Sequence, residues 1–357
     1  FFLSFAQFHN YLTPQLPVIS HAKSDRIVVG SLNPFAKKEL PKQIIEQLTL
    51  YDKQFENMGY RIPNFTKILL QQNTLVPSLG PRFFIRPLLS LKKGCFKHAI
   101  LLSPQNHNRA YIEDRFTLFH ERAHSLLYAT YNPSSFIITN LTMQEALADF
   151  FAFHSIDQPN PEVLSAAEIR NIEAREYRGQ KLTNILQLNN QAHNDGVFIS
   201  NLFWQVRKHV GKEEMSKLLP LITDSLNRLR VNLPFNSMQE SKYFLLETTL
   251  AIMKYIATTS PRGLENDPMV PWPIGPPLIQ KLAPPLQLKI NTAIDSYISE
   301  LSLDAKLIQR MSENIMDTQD PQRSDKPEFI QIMYGWIYSS IGLTMDFMIM
   351  MGLYNIF

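Results

Sequence analysis

Cysteine is almost absent from this chain of 357 residues, which contains only Cys95. A single cysteine excludes an intrachain disulfide, and it leaves the redox compartment of the protein open. It also excludes a metal site built from several thiolates, so any zinc site must use histidine and carboxylate ligands. Dense runs of lysine or arginine are absent as well, and the net charge is only +3. This charge distribution gives no indication of nucleic-acid binding.

The sequence also lacks an internal repeat with a period of about 20–50 residues, which argues against a solenoid or propeller. The apolar stretch Phe1–Ala6 is too short for a signal peptide, and no basic region precedes it. We interpret it as the end of a longer segment. Hydrophobic residues make up 45% of the chain, so a large core is expected, and the length suggests about two domains or subdomains.

One short motif carries most of the functional information: His120-Glu121-Arg122-Ala123-His124, an H-E-x-x-H sequence. Residues four apart share one face of a helix, so both imidazoles can reach one ion while Glu121 lies beside them. Zinc that performs chemistry needs a third protein ligand and an open fourth position. The alternative interpretation is a pair of packed histidines on an ordinary helix.

Two acidic residues follow the H-E-x-x-H motif in the sequence and are candidates for the metal site. Glu145 lies 145 − 124 = 21 positions after His124 and is the obvious third ligand. Asp149 lies one helical turn further on the same face, where it can accept a hydrogen bond from a ligand histidine and fix its tautomer. Their neighbours are apolar, so burial would cost several kcal/mol without compensation, and a divalent ion is the simplest compensation. Alternatively, Thr142 and Glu145 form a capping box at the start of the helix.

Together these motifs resemble the glutamate-zincin metallopeptidases, in particular the thermolysin-like group, in which an E-x-x-x-D helix follows the H-E-x-x-H helix. The resemblance implies that His120, His124 and Glu145 bind Zn²⁺, that Glu121 is the general base, and that Asp149 supports His120. It further implies a zinc-dependent endopeptidase acting on a peptide or protein substrate.

The resemblance covers about residues 96–211 and departs from the family at one catalytic position. The family places a histidine that stabilises the tetrahedral intermediate where this chain has Phe198. His193, five residues earlier, is our candidate for that role. It would act from just before the helix that carries Phe198. The alternative is a helix-capping or surface histidine.

Substrate binding in the family involves an arginine and an edge strand. Arg170 is our candidate for the arginine that binds a substrate carbonyl, and Arg175 and Arg178 are alternatives, as is a solvated surface role. The edge strand binds the substrate backbone by β-augmentation. The predicted strand at 98–102 lies at the matching place, although the sequence leaves open which strand forms the edge.

The pattern along the chain predicts an α+β, zincin-like fold. An N-terminal α+β subdomain, 1–131, would contain a small mixed sheet and end in the metal-binding helix, which begins near 108–114. A helical subdomain with the third ligand would follow at 132–260, with a helix break at Pro220. A proline-rich strap and an amphipathic helix, Leu286–Met316, would occupy most of 261–328.

The last segment, Phe329–Phe357, contains a single charged residue, Asp346. About 20 apolar residues span a bilayer, so the length permits a membrane helix in which Asp346 would cost about 2.5–3.5 kcal/mol. A buried helical hairpin or a partner-binding helix is the alternative. The tail and the missing family histidine suggest an alternative function, a catalytically inactive zincin-like subunit of a membrane-associated assembly. The predicted location is accordingly membrane-associated or extracytoplasmic, with membrane or membrane-protein contact through the tail.

Overall fold

The helices and strands around the H-E-x-x-H motif are defined in a computed structural model. It describes residues 19–31, 39–63, 66–70, 82–86, 97–102, 115–131, 135–160, 170–178, 180–188, 191–231, 243–258 and 282–317. The segment 329–357 and most of the predicted strap therefore lie outside the described residues. Within the described ranges, no helix combines the length and the apolar character needed to cross a membrane.

The N-terminal part forms a mixed five-stranded sheet. Its strands are β1 (Ile19–Lys23), β2 (Ile27–Ser31), β3 (Thr66–Leu70), β4 (Arg82–Arg86) and β5 (Lys97–Leu102), in the spatial order β1-β2-β3-β5-β4. β2, β3 and β5 are parallel, whereas β1 and β4 pair antiparallel with their neighbours. The predicted strand 98–102 is therefore an interior strand, and β4 forms the edge beside it within the described sheet.

Helix α1 (Glu39–Asn57) connects β2 to β3 and packs on β1 and β2. Its buried stripe, which includes Ile44, Leu48 and Phe55, follows the helical period. Gly59, at φ 96°, follows the end of the helix, where a residue without a side chain tolerates the left-handed backbone. This helix supplies one wall of the core behind the H-E-x-x-H motif.

The H-E-x-x-H motif lies on α2 (Arg115–Thr130), which packs against β4, β5 and α4 (Leu141–Ile156). The short helix α3 (Phe136–Thr139) lies between α2 and α4. Stacked rings of Phe116 and Phe153, with centroids 4.3 Å apart, join α2 to α4. Burial of each such side chain contributes about 1.5–3 kcal/mol, so the pairing of these helices is strongly favoured.

Asn140 caps the N-terminus of α4, because its side chain accepts a hydrogen bond from the Met143 amide at 2.9 Å. The helix therefore begins before Thr142, and the capping-box alternative for Thr142 and Glu145 was wrong. With the cap supplied by Asn140, the side chain of Glu145 is available to reach α2.

Helix α5 (Ala192–Val210) approaches α4 unusually closely at Gly196. A Cβ atom at Gly196 would lie 3.2 Å from the Ala146 amide nitrogen and 3.3 Å from the Thr142 carbonyl oxygen. Ser200 bridges the same seam by donating to the Ala146 carbonyl at 2.8 Å. Because α5 already begins at Ala192, His193 belongs to its first turn, and its predicted place before the helix was wrong.

A buried ion pair ties α2 to the rest of the N-terminal part. Arg122, inside the H-E-x-x-H motif, is fully buried and donates from Nε and Nη2 to the two carboxylate oxygens of Asp52 on α1, at 2.8 and 2.6 Å. Its Nη1 donates to the Thr66 hydroxyl on β3. A buried charge is tolerated when its hydrogen-bonding groups are satisfied, so this contact holds α2 at a defined place against α1 and β3.

The C-terminal half is mostly helical, as predicted. It contains the small antiparallel sheet β6 (Arg170–Asn171), β7 (Glu176–Tyr177) and β8 (Gln180–Lys181), and then α6 (Lys212–Arg228), β9 (Leu229–Val231), α7 (Phe244–Thr258), α8 (Pro284–Glu300), α9 (Ala305–Glu313) and β10 (Ile315–Asp317). The described elements together make an α+β protein. The predicted domain limits at 131, 260 and 328 stay predictions.

Two helix predictions in this half were wrong. α6 continues through Pro220, because burial of Leu219 and Ile222 on either side outweighs the cost of one missing helical hydrogen bond. The predicted helix Leu286–Met316 is divided into α8 and α9. Ser302 adopts a left-handed backbone at φ 54°, and Asp304 caps α9 by accepting from the Lys306 and Leu307 amides.

Candidate metal centre

The two motif histidines face each other on one side of α2. His120 and His124 are both buried, and their Nε2 atoms lie 3.2 Å apart. The i and i+4 spacing places the rings one above the other, with their planes at 84°. The structure therefore directs two ring nitrogens to the same point.

Glu145 reaches this point from α4. Its Oε2 lies 3.1 Å from Nε2 of His120, and its Oε1 lies 3.6 Å from Nε2 of His124. Tetrahedral ligands held 2.0–2.1 Å from zinc are separated by about 3.3–3.4 Å, so the observed spacings match a ligand set around one small ion. These three side chains form the one group of histidine, cysteine and acidic residues in the described part of the chain that has the spacing to hold a metal ion.

The contacts of Glu145 fit a cation better than a hydrogen-bonded cluster. Its Oε2 is buried and accepts no hydrogen bond of acceptable geometry among the described residues. His120 Nε2, at 3.1 Å, and His193 Nδ1, at 2.9 Å, are close enough but poorly aligned. A buried carboxylate oxygen without a donor is costly, and a metal ion between the three side chains would satisfy it.

Asp149 lies behind His120, as the spacing predicts. Its Oδ1 is 2.7 Å from Nδ1 of His120, and the carboxylate is completely buried. A proton on Nδ1 that is shared with Asp149 leaves the lone pair of Nε2 directed to the candidate metal position. Arg170 also donates to the same oxygen of Asp149 from Nη1.

The carboxylates of Glu145 and Asp149 stabilise positive charge at the candidate metal position. Burial lowers the pKa of His120, but the adjacent carboxylates of Asp149 and Glu145 outweigh burial and raise it to about 10. Burial raises the pKa of Glu145, but His124 and His120 outweigh that effect and hold the pKa well below its ordinary value. For Asp149, Arg170 and His120 likewise outweigh burial and lower the pKa. Both carboxylates are therefore ionised at neutral pH.

Glu121 is buried beside the cluster, but the pKa of its carboxyl shifts in the opposite direction from the pKa values of Glu145 and Asp149. Burial raises the pKa of its carboxyl, and the opposing effects of His120 and His124 are smaller. A carboxyl with a raised pKa next to a metal position is suited to accept and return a proton.

Arg170 and His193 complete the outer side of the centre. Arg170 Nη2 lies 3.2 Å from Nδ1 of His193, while its Nη1 contacts Asp149. The two alternative arginines lie elsewhere: Arg175 pairs with Glu300 at 2.6 Å, and Arg178 is exposed. The structure therefore brings Arg170, and neither alternative, into contact with the candidate centre.

Two contributors gave no usable signal in the sequence. Tyr177 lies against His193, with ring centroids 6.2 Å apart and planes at 20°. Asp52, which binds Arg122, is 70 positions away from it, and no motif links them.

Comparisons with protein-family models, with curated proteins and with solved structures find no match to this chain. The assignment of a function therefore depends on the residues and on the geometry of the centre.

Proposed function

We propose that this chain is a zinc-dependent endopeptidase of the thermolysin-like type. The observation that carries the proposal is the convergence of His120, His124 and Glu145, with ligand atoms 3.1–3.6 Å apart and Glu121 next to them. Three nitrogen and oxygen ligands suit zinc and leave a fourth position for water. Bound there, zinc would polarise the substrate carbonyl and lower the pKa of that water.

Glu121 acts as the general base in this proposal. It takes a proton from the attacking water, and it passes the proton to the leaving amine as the peptide C–N bond breaks. Its buried position supports this role, because burial raises the carboxyl pKa toward the range in which both proton transfers are efficient.

His193 and Arg170 act on the substrate side. Both close contacts of His193 are made at Nδ1, so Nε2 is the atom that can donate to the developing oxyanion. The side chain of His193 is 41% exposed, which makes it accessible to a substrate. Arg170 keeps the role of binding a substrate carbonyl that the family resemblance implies.

The edge strand β4 offers a place for the substrate backbone. It pairs with β5 on one side only among the described strands, and α2 packs against both. An extended peptide that adds to β4 by main-chain hydrogen bonds would lie beside the H-E-x-x-H helix.

One observation favours a second candidate function. Phe198, at the position of the family's catalytic histidine, is completely buried in the core and contributes nothing to a reaction. If His193 does not replace that histidine, the centre would bind metal without hydrolysing peptides, in a non-catalytic zincin-like subunit.

The test is hydrolysis of an unfolded casein-type substrate by the purified chain, with its metal content measured in parallel. We expect activity that is lost with a chelator and restored by Zn²⁺. Glu121→Gln removes the base but no ligand, so it should keep the metal and lower kcat by about 10²–10⁴-fold. Glu46→Gln makes the same change at an exposed site and should have no effect.

Metal binding without hydrolysis in the wild-type chain would support the non-catalytic candidate and overturn the peptidase proposal. Full activity of Glu121→Gln would overturn the assignment of the base.

A further inference from the structure

Among the candidate metal ligands, Glu145 contacts His193 at Nδ1, and the ring of His120 lies tilted by 39° with its centroid 6.4 Å away. His193 lies in the first turn of α5, with a side chain that is 41% exposed. Glu145 and Arg170 both contact His193 at Nδ1, so these two contacts alone would still allow the imidazole ring to turn about that atom. A residue that touches the face of the imidazole is required to fix the direction of Nε2.

Tyr177 provides that contact. Its ring lies nearly parallel to the imidazole of His193, at 20°, with a centroid distance of 6.2 Å that falls within the range of offset stacking. The guanidinium groups of Arg170 and Arg178 lie 5.7 and 5.2 Å from the centre of the tyrosine ring. Such cation–π contacts contribute about 0.5–2 kcal/mol and hold the ring in place.

The short sheet that carries Tyr177 is fastened to the surrounding helices. The side-chain amide of Asn201 on α5 donates to the backbone carbonyls of Ile172 and Glu173. Arg175 donates to the Leu182 carbonyl and to Glu300 on α8. Tyr177 and His193 are therefore held on a shared frame, since α5 carries both His193 and Asn201.

We propose that Tyr177 is a positioning residue that stacks on His193 and keeps its Nε2 directed toward the substrate. The proposal rests on the proposed function, because it assigns Tyr177 a part in the same reaction. Tyr177 is buried and takes no part in metal binding, so its effect should appear in turnover and not in metal affinity.

The first experiment needs no enzyme activity. The imidazole carbon-bound proton signals of His193, assigned with His193→Ala in histidine-labelled protein, are compared in wild type, Tyr177→Phe and Tyr177→Leu. Phenylalanine keeps the ring and should leave the His193 signals near their wild-type positions. Leucine removes the ring current and should shift them. Unshifted signals in Tyr177→Leu would overturn the stacking contact.

The second experiment separates positioning from a structural role. Tyr177→Leu should lower kcat by about 10–100-fold, as expected for a misplaced catalytic group, while zinc affinity stays unchanged and Tyr177→Phe keeps most of the activity. In a His193→Ala background the same substitution should cause no further loss. An equal loss in both backgrounds would overturn the proposal.

Absence of hydrolysis by the wild-type chain would overturn the proposed function instead. The comparison of His193 signals would still decide whether Tyr177 places this imidazole.

Discussion

Asp149 contacts both a candidate ligand, His120, and the guanidinium of Arg170. Replacement by asparagine keeps the shape but removes the charge that favours a proton on Nδ1 of His120. Substitution of such a supporting carboxylate weakens metal affinity by about 10–100-fold, and we expect this result for Asp149→Asn. Competition with a chromophoric chelator measures the dissociation constant.

Asp157→Asn is the matched control for this variant, because Asp157 caps the C-terminus of the same helix and its side chain is 58% exposed. Asparagine also tolerates its left-handed backbone. Zinc affinity that is unchanged in Asp149→Asn would contradict the supporting role.

His154 is a buried histidine that has no place in the candidate centre. Arg207 donates from Nε to its Nδ1 at 3.2 Å, and its Nε2 lies 2.9 Å from the Ser216 hydroxyl. Burial and the charges of Arg207 and Lys212 lower its pKa to about 3, against a weak opposing effect of Asp157. The histidine is therefore neutral in the folded chain at every pH above about 3.

This depressed pKa predicts loss of stability in acid. The unfolded chain binds a proton at His154 below about pH 6.5, while the folded chain does not, so the free energy of unfolding falls as the pH drops. Between pH 7 and pH 5 the loss from this residue is about 2 kcal/mol. Denaturant unfolding of wild type and His154→Asn at both pH values isolates the contribution of His154 to this loss, since the other groups titrate in both proteins. Equal losses would contradict the prediction.

At the scale of single residues, the sequence identified the candidate ligands because two helical spacings encode them. His120 and His124 are four apart, and Glu145 and Asp149 are four apart, so each pair shares a helix face. The contact between Tyr177 and His193 joins a strand to a helix, and no spacing encodes it.

The close approach of α4 and α5 is the helix–helix contact that brings His193 to Glu145. Alanine at Gly196 would place a Cβ against backbone atoms of Ala146 and Thr142, which cannot rotate away. Overpacking costs about 1–3 kcal/mol, and the better helix propensity of alanine returns about 1 kcal/mol. Gly196→Ala should therefore lower the free energy of unfolding by about 1 kcal/mol and also reduce kcat.

Chemical denaturation measures the first effect, and steady-state kinetics measures the second. A variant that is more stable than wild type and fully active would show that the two helices separate without cost, contrary to this account.

The spacing of apolar residues predicted the presence of helices more reliably than it predicted where they begin and end. The apolar spacing of the second half predicted its helical character, whereas the predicted start of α5, after His193, was too late. The break between α8 and α9 was missed because apolar spacing continues from Ile298 to Ile308 across it. Asp304 was an available capping signal.

At the scale of the whole molecule, the order of strands could not be derived from the sequence. β3 and β5 pair in register from Thr66 opposite His98, and a sheet register depends on contacts between distant segments. The helical character of the second half followed directly from its apolar spacing. Function in a membrane-associated assembly and contact through 329–357 stay predictions.

The candidate centre draws on four elements that are distant from one another in the sequence. α2 carries two candidate ligands, α4 carries the third candidate ligand and Asp149, β6 carries Arg170, and α5 carries His193. Metal binding to such a site is coupled to folding, because the unfolded chain does not present the ligands together.

The most direct test of the account is the number of Zn²⁺ ions bound per chain and their dissociation constant, measured by titration calorimetry on the metal-free protein. We expect one ion per chain in the wild type, the same binding in the exposed-site variant Glu46→Gln, and a large loss of affinity in Glu145→Gln. No stoichiometric binding by the wild type, or unchanged binding by Glu145→Gln, would contradict the proposal that His120, His124 and Glu145 hold one metal ion.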